Sequence, residues 1–71
     1  MIGYSIYLVT SGKLLDRNAN HTTKLYRGTT CIRNAKIWSN KKTAQEFAGK
    51  MDQRNVEIVE IRAYSPTRGT L

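Results

Sequence analysis

At 71 residues the chain is one domain at most, with a thin core. Hydrophobic residues make up 39% and charged residues 24% of it, a balance that suits a foldable domain better than a disordered tail, and a single cysteine, Cys31, excludes an internal disulfide or a cysteine-built metal site. The formal charge of +7 points to acidic partners, whether polyanions or acidic protein surfaces.

The first segment, Ile2 to Thr10, alternates Ile2, Tyr4, Ile6 and Leu8 with Gly3, Ser5, Tyr7 and Val9, in residue types that favour strands. It reads as the first strand, with Ile2, Tyr4, Ile6 and Leu8 toward the core. Its start lacks the charged n-region and small-residue cleavage site of a signal peptide, and Met1 to Gly12 is shorter than the roughly 20 residues of a membrane span. The expected location is therefore the cytoplasm, with no membrane contact. Ser11 and Gly12 signal a turn, after which Leu14 and Leu15 resume a short extended piece.

The run Asp16 to Thr23, DRNANHTT, has no apolar period and reads as a loop or hairpin tip. On that reading His21 is an ordinary exposed loop histidine. Further extended pieces are expected at Lys24 to Tyr26 and Ile32 to Ile37, with Gly28 allowing a bend between them. Cys31 reads as a small, semi-buried hydrophobe and Trp38 as core packing at the junction with a helix.

That helix is the best-marked element of the second half. Ser39 or Asn40 can cap it, and Ala44, Phe47, Ala48 and Met51 recur at helical spacing, so one face is apolar. Lys41 and Lys42 in its first turn oppose the helix dipole but set positive charge beside free backbone N–H groups, a combination able to receive an anion. The helix is expected to end at Gln53 to Asn55. Val56 to Ala63, VEIVEIRA, then carries the densest strand signal and reads as a central strand covered by the helix. Pro66 and Gly69 break regular structure, so residues 1–64 read as one basic domain and 65–71 as a flexible tail. The fold class is α+β: a small antiparallel or mixed sheet of three to four strands with one helix on one face.

The charge is unevenly distributed. Residues 13 to 42 hold eight cations, Lys13, Arg17, Lys24, Arg27, Arg33, Lys36, Lys41 and Lys42, against Asp16 alone, while cations and acids cancel over the rest. No nucleophile elbow, phosphate loop, zinc motif or carboxylate pair accompanies them, so the chain reads as non-catalytic, with no cofactor or metal. Arg17, Lys24, Tyr26, Arg27, Arg33, Lys36, Lys41 and Lys42 are the candidate binding residues: the cations reach phosphates, and an aromatic ring can stack on a base. Tyr7, Tyr26 and Tyr64 are the rings expected to be exposed, and Tyr4 is expected inside. Nucleic acid is the first expected partner, with RNA or single strands ahead of duplex DNA because no recognition-helix arrangement is legible. An acidic protein surface is the alternative partner, and a minor structural or dimerisation domain is a third reading. Homodimer formation is one way for so thin a core to gain stability.

The segments YSIYLVT, AKIWSNKKTAQEFAGK and VEIVEI, spread over residues 2 to 63, give the chain a texture that resembles the small accessory proteins of tailed bacteriophages, especially the large T4-like phages. No functional residue is transferred by that resemblance. It implies a small regulator, acting in the host cytoplasm, that binds RNA or inhibits a host enzyme, defence factor or toxin.

Overall fold

A computed structural model describes residues 2–51 and 55–62. The tail expected at 65–71, the Tyr64 ring and the helix end expected at Gln53 and Arg54 lie outside these residues. The elements are β1 (Gly3–Leu8), β2 (Lys13–Leu15), β3 (Gly28–Thr29), a 3-10 turn (Ile32–Asn34), α1 (Lys41–Gly49) and β4 (Val56–Ile61). They form a four-stranded antiparallel sheet in the order β3-β2-β1-β4, with α1 on one face. The expected α+β fold, helix on sheet, is the observed one.

β1 sits in the middle because its sequence suits burial on both sides. Ile6 and Leu8 point to the helix-covered face, where Ile6 is 0% exposed. Ser5 on the opposite face is equally buried, and its hydroxyl donates to the Lys36 carbonyl at 2.8 Å, so its polarity is satisfied within the protein. Ile2 lies outside the strand and is 43% exposed, and Tyr4 is half-buried. The turn to β2 closes with the Gly12 N–H donating to the Leu8 carbonyl at 2.8 Å, at a φ of 71° that only glycine adopts without strain.

β4 is an edge strand and not the central one its Val and Ile density suggests. Among the described residues it pairs with β1 alone, Leu8 opposite Val56, Ile6 opposite Ile58 and Tyr4 opposite Glu60. Glu57 and Glu60 explain the position: both are exposed, and carboxylates are tolerated at an edge where solvent reaches them. Val56 and Ile58 join Ile6, Leu8, Leu15, Ala19 and Met51 in the core, with Phe47 and Ala48 of α1 above.

α1 begins as its sequence dictates. The Asn40 side chain accepts from the N–H groups of Lys42 at 2.8 Å and Thr43 at 3.4 Å. It ends earlier than expected, at Gly49, where bonds from Lys50 N–H to Phe47 O and from Met51 N–H to Ala48 O tighten the last turn. Met51 still completes the apolar stripe from beyond the helix, 7% exposed.

The middle of the chain departs most from expectation. Lys24 to Tyr26 is not a strand, since Lys24 has a left-handed φ of 57° and only a single bridge joins Asn20 to Leu25. The paired residues are Gly28 and Thr29 instead of a bend at Gly28. A Cβ on Gly28 would lie 2.7 Å from Lys13 Cβ, so glycine is what lets β3 approach β2 there. Ile32 to Asn34 coils into the 3-10 turn because its apolar residues bury no common face: Ile32 is 42% exposed and Cys31 is exposed outright, not semi-buried. Here Ala35 bridges Asp16, the Lys36 N–H donates to the Leu15 carbonyl, and Trp38 bridges Tyr4, with no continuous strand formed.

Candidate functional site

Leu15, fully buried, anchors the end of β2, and the chain that leaves it gathers three separate stretches. Asp16 donates its N–H to the Arg27 carbonyl at 2.8 Å, and Arg17 donates its own to the Asn34 carbonyl at 2.7 Å. Lys36 donates its backbone N–H to the Leu15 carbonyl at 2.9 Å and its Nζ to the Arg17 carbonyl at 3.3 Å. Arg17, Arg27 and Lys36, up to nineteen residues apart in sequence, are thereby held around one bend, with Arg33 adjacent in the chain to Asn34. Backbone groups do the holding of Arg17 and Arg27, which leaves both residues exposed.

Asp16 is the one acid of this stretch, and its carboxylate is engaged locally, accepting from the Asn18 N–H at 2.8 Å. Among the described residues Arg17, Lys24, Arg27, Lys41 and Lys42 form no ion pair with Glu46, Glu57 or Glu60. A cleft of about 240 Å³ lies beside the bend, lined by Asp16, Asn18, Ala19, Leu25 and Arg27. That is smaller than the roughly 300–1,000 Å³ of ordinary small-molecule sites. Leu25, 53% exposed, supplies an apolar surface next to Arg27.

Lys36 is a different kind of cation from its neighbours. Its ammonium lies 5.4 Å from the Phe47 ring centroid and 6.0 Å from that of Trp38, and its stem is half-buried. Trp38 packs on Phe47 at 5.2 Å, as expected of a junction residue. Tyr26 is not an exposed ring. It is half-buried, edge-on to Phe47 at 6.4 Å, with its hydroxyl 2.8 Å from His21 Nδ1. Tyr7 is likewise half-buried.

His21 is the residue sequence reasoning misjudged most. It stacks on Phe47 at 4.0 Å and 29°, and its Nε2 is closed off from solvent with no hydrogen-bond partner among the described residues. The turn it belongs to also buries Ala19, 4% exposed, in the core. One small apolar residue in a polar run was the available signal, and periodicity cannot register a single residue. His21→Ala is expected to remove both the stack and the Tyr26 bond, costing about 2 kcal/mol and lowering the melting temperature by about 10 °C. A scan by circular dichroism checks this; an unchanged melting temperature would show that the 20–25 turn is not docked on α1.

Lys41 and Lys42 lie at the start of α1, and no described hydrogen bond ties them to the bend. The helix N-terminus does not offer the anion site their position suggests, because Asn40 already occupies the Lys42 and Thr43 N–H groups. Lys24 stands at the tip of the 20–25 turn, exposed.

No described cluster of His, Cys, Asp or Glu could hold a metal ion, and no described helix is long and apolar enough to cross a membrane. No protein-family model, curated protein or solved structure matches the chain.

Proposed function

We propose that the protein is a small, basic, non-catalytic regulator that binds nucleic acid, favouring RNA or single strands over duplex DNA. One observation carries the reading: hydrogen bonds at the exit of β2 collect Arg17, Arg27 and Lys36 from three stretches of chain around one bend, with Arg33 adjacent in the chain to the Asn34 that Arg17 bonds. Cations held at one place by a folded scaffold can meet successive phosphates without the entropic cost of ordering a flexible chain. Leu25 beside Arg27 gives a splayed base an apolar surface, and a stacked duplex has no such base to offer. A regulator of this kind also agrees with the resemblance to small phage accessory proteins.

The test is the salt dependence of binding to a labelled single-stranded RNA and to a duplex DNA of the same length. The expected result is tighter binding to the RNA and a linear fall of log K with log salt, with a slope of about −0.7 for each phosphate neutralised on a single strand. Absence of binding at low salt would overturn the reading and leave an acidic protein surface as the target of the same cations.

A further inference from the structure

The outer edge of β4 is built to pair with another strand. Antiparallel partners alternate between pairs that exchange both backbone hydrogen bonds and pairs that exchange none. Val9 donates its N–H to the Asn55 carbonyl at 3.0 Å, so in this register the bonded pairs are Tyr7 with Glu57, Ser5 with Val59 and Gly3 with Ile61. The N–H and C=O groups of Val56, Ile58 and Glu60 therefore point away from β1. No described strand lies on that side.

Edge strands in soluble proteins are ordinarily blunted by prolines, inward charges, bulges or short length. The opposite edge, β3, is blunted in this way: it is two residues long. β4 is six residues long, VEIVEI, with no proline or glycine in it, and its protection is by charge alone: Glu57 on one face and Glu60 on the face of Val56 and Ile58. Its Glu57 and Glu60 are the only charges on the strand. They also decide which partner the edge can accept.

We propose that β4 pairs antiparallel with β4 of a second copy of this chain, joining two four-stranded sheets into one continuous sheet. A twofold axis normal to the sheet must pass through a residue that faces its own copy, because an offset of one would put paired side chains on opposite faces. Centring the axis on Ile58 uses the outward backbone groups of Val56, Ile58 and Glu60, and no others. In that register Ile58 faces its copy, Val56 faces the copy's Glu60, and Glu57 faces the copy's Val59. No carboxylate meets a carboxylate, and the apolar face of β4 continues across the seam.

Both molecules carry a formal charge of +7, so two copies can associate closely only where their basic clusters stay apart. Arg17 and Arg27 lie beyond β2, two strand spacings or about 10 Å from the β4 edge, comparable to the Debye length at ~0.1 M salt, and Lys36 lies nearer, its carbonyl accepting from Ser5 of β1. Pairing at β4 thus places the two basic clusters at the far ends of the joined sheet. Added salt should strengthen this association by screening the remaining repulsion, the opposite of its effect on nucleic-acid binding. Dimer formation and nucleic-acid binding can therefore fail independently.

The experiment is sedimentation of the full chain over a range of micromolar concentrations, alongside the variant Glu60→Pro. Proline at position 60 removes an outward N–H that β1 does not use, so the fold is expected to persist by circular dichroism while the dimer is lost. A second pair of variants tests the register, with circular dichroism again checking the fold because Ile58 also packs on the core. With Cys31 replaced by serine, Ile58→Cys should oxidise to a disulfide-linked dimer, since bonded antiparallel partners lie ~5.5 Å apart at Cα, within disulfide reach. Glu57→Cys in the same background should not. A monomeric wild type, a dimer that survives Glu60→Pro, or equal cross-linking at 57 and 58 would each overturn the proposal.

Discussion

Ile6→Ala is expected to cost about 3–4 kcal/mol, within the range of roughly 2–5 kcal/mol for emptying a fully buried aliphatic site. Ile6 has no exposed surface, lies at the centre of β1, and faces Ile58 across the β1–β4 pair. A chain of this length has a total stability of about 4–11 kcal/mol, so the variant should be largely unfolded under mild denaturant. Urea titration followed by Trp38 fluorescence would read it, because Trp38 packs against the same core. Ile32→Ala is the matched control. Ile32 is 42% exposed in the 3-10 turn, and its truncation should change stability by no more than about 0.5 kcal/mol. Equal losses at the two positions would contradict the assignment of the core to the helix-covered face.

The second large effect concerns binding. Reversing Arg17 and Arg27 to glutamate together is expected to weaken binding to single-stranded RNA by about tenfold or more at low salt, and to flatten the salt slope by about 0.7 for each phosphate no longer neutralised. The weakening should be uniform across sequences, because phosphate contacts position a nucleic acid without reading it. These two arginines suit the experiment because the fold uses their backbone groups, through Arg17 N–H to Asn34 O and Asp16 N–H to Arg27 O. An unchanged melting temperature is therefore part of the expected result. Reversal of Lys41 and Lys42, at the start of α1, should weaken binding less. If the two double variants bind equally, the contact is a diffuse field and not the bend at the exit of β2.

Local chemistry made part of the fold legible. Asn40 caps α1 because an asparagine side chain next to the first apolar turn can reach the N–H groups two and three residues on. Ala44, Phe47, Ala48 and Met51 face the core because helical spacing puts them on one stripe, and Met51 does so although the helix has already ended at Gly49. The first strand was legible from alternation. Its exposed end, Ile2, was not, since alternation continues past the point where pairing stops.

Sequence and structure part between Asp16 and Ile37, where the fold is made by contacts across many residues. His21 looks like a solvated loop side chain in DRNANHTT and becomes part of an aromatic stack only when α1 brings Phe47 to within 4.0 Å. Tyr26 leaves the set of exposed rings for the same reason. Cys31 and Ile32 go the other way, from expected burial to exposure, because the 3-10 turn gives them no face to share.

Composition and periodicity by themselves determined a small α+β architecture, one capped amphipathic helix and a mid-chain excess of positive charge, because each depends on near neighbours in the chain. Strand order, the edge position of β4 and the gathering of Arg17, Arg27 and Lys36 were decided only by tertiary structure. Those features depend on which backbone groups find each other across up to fifty-eight residues, from Gly3 to Ile61, and no local pattern encodes that choice.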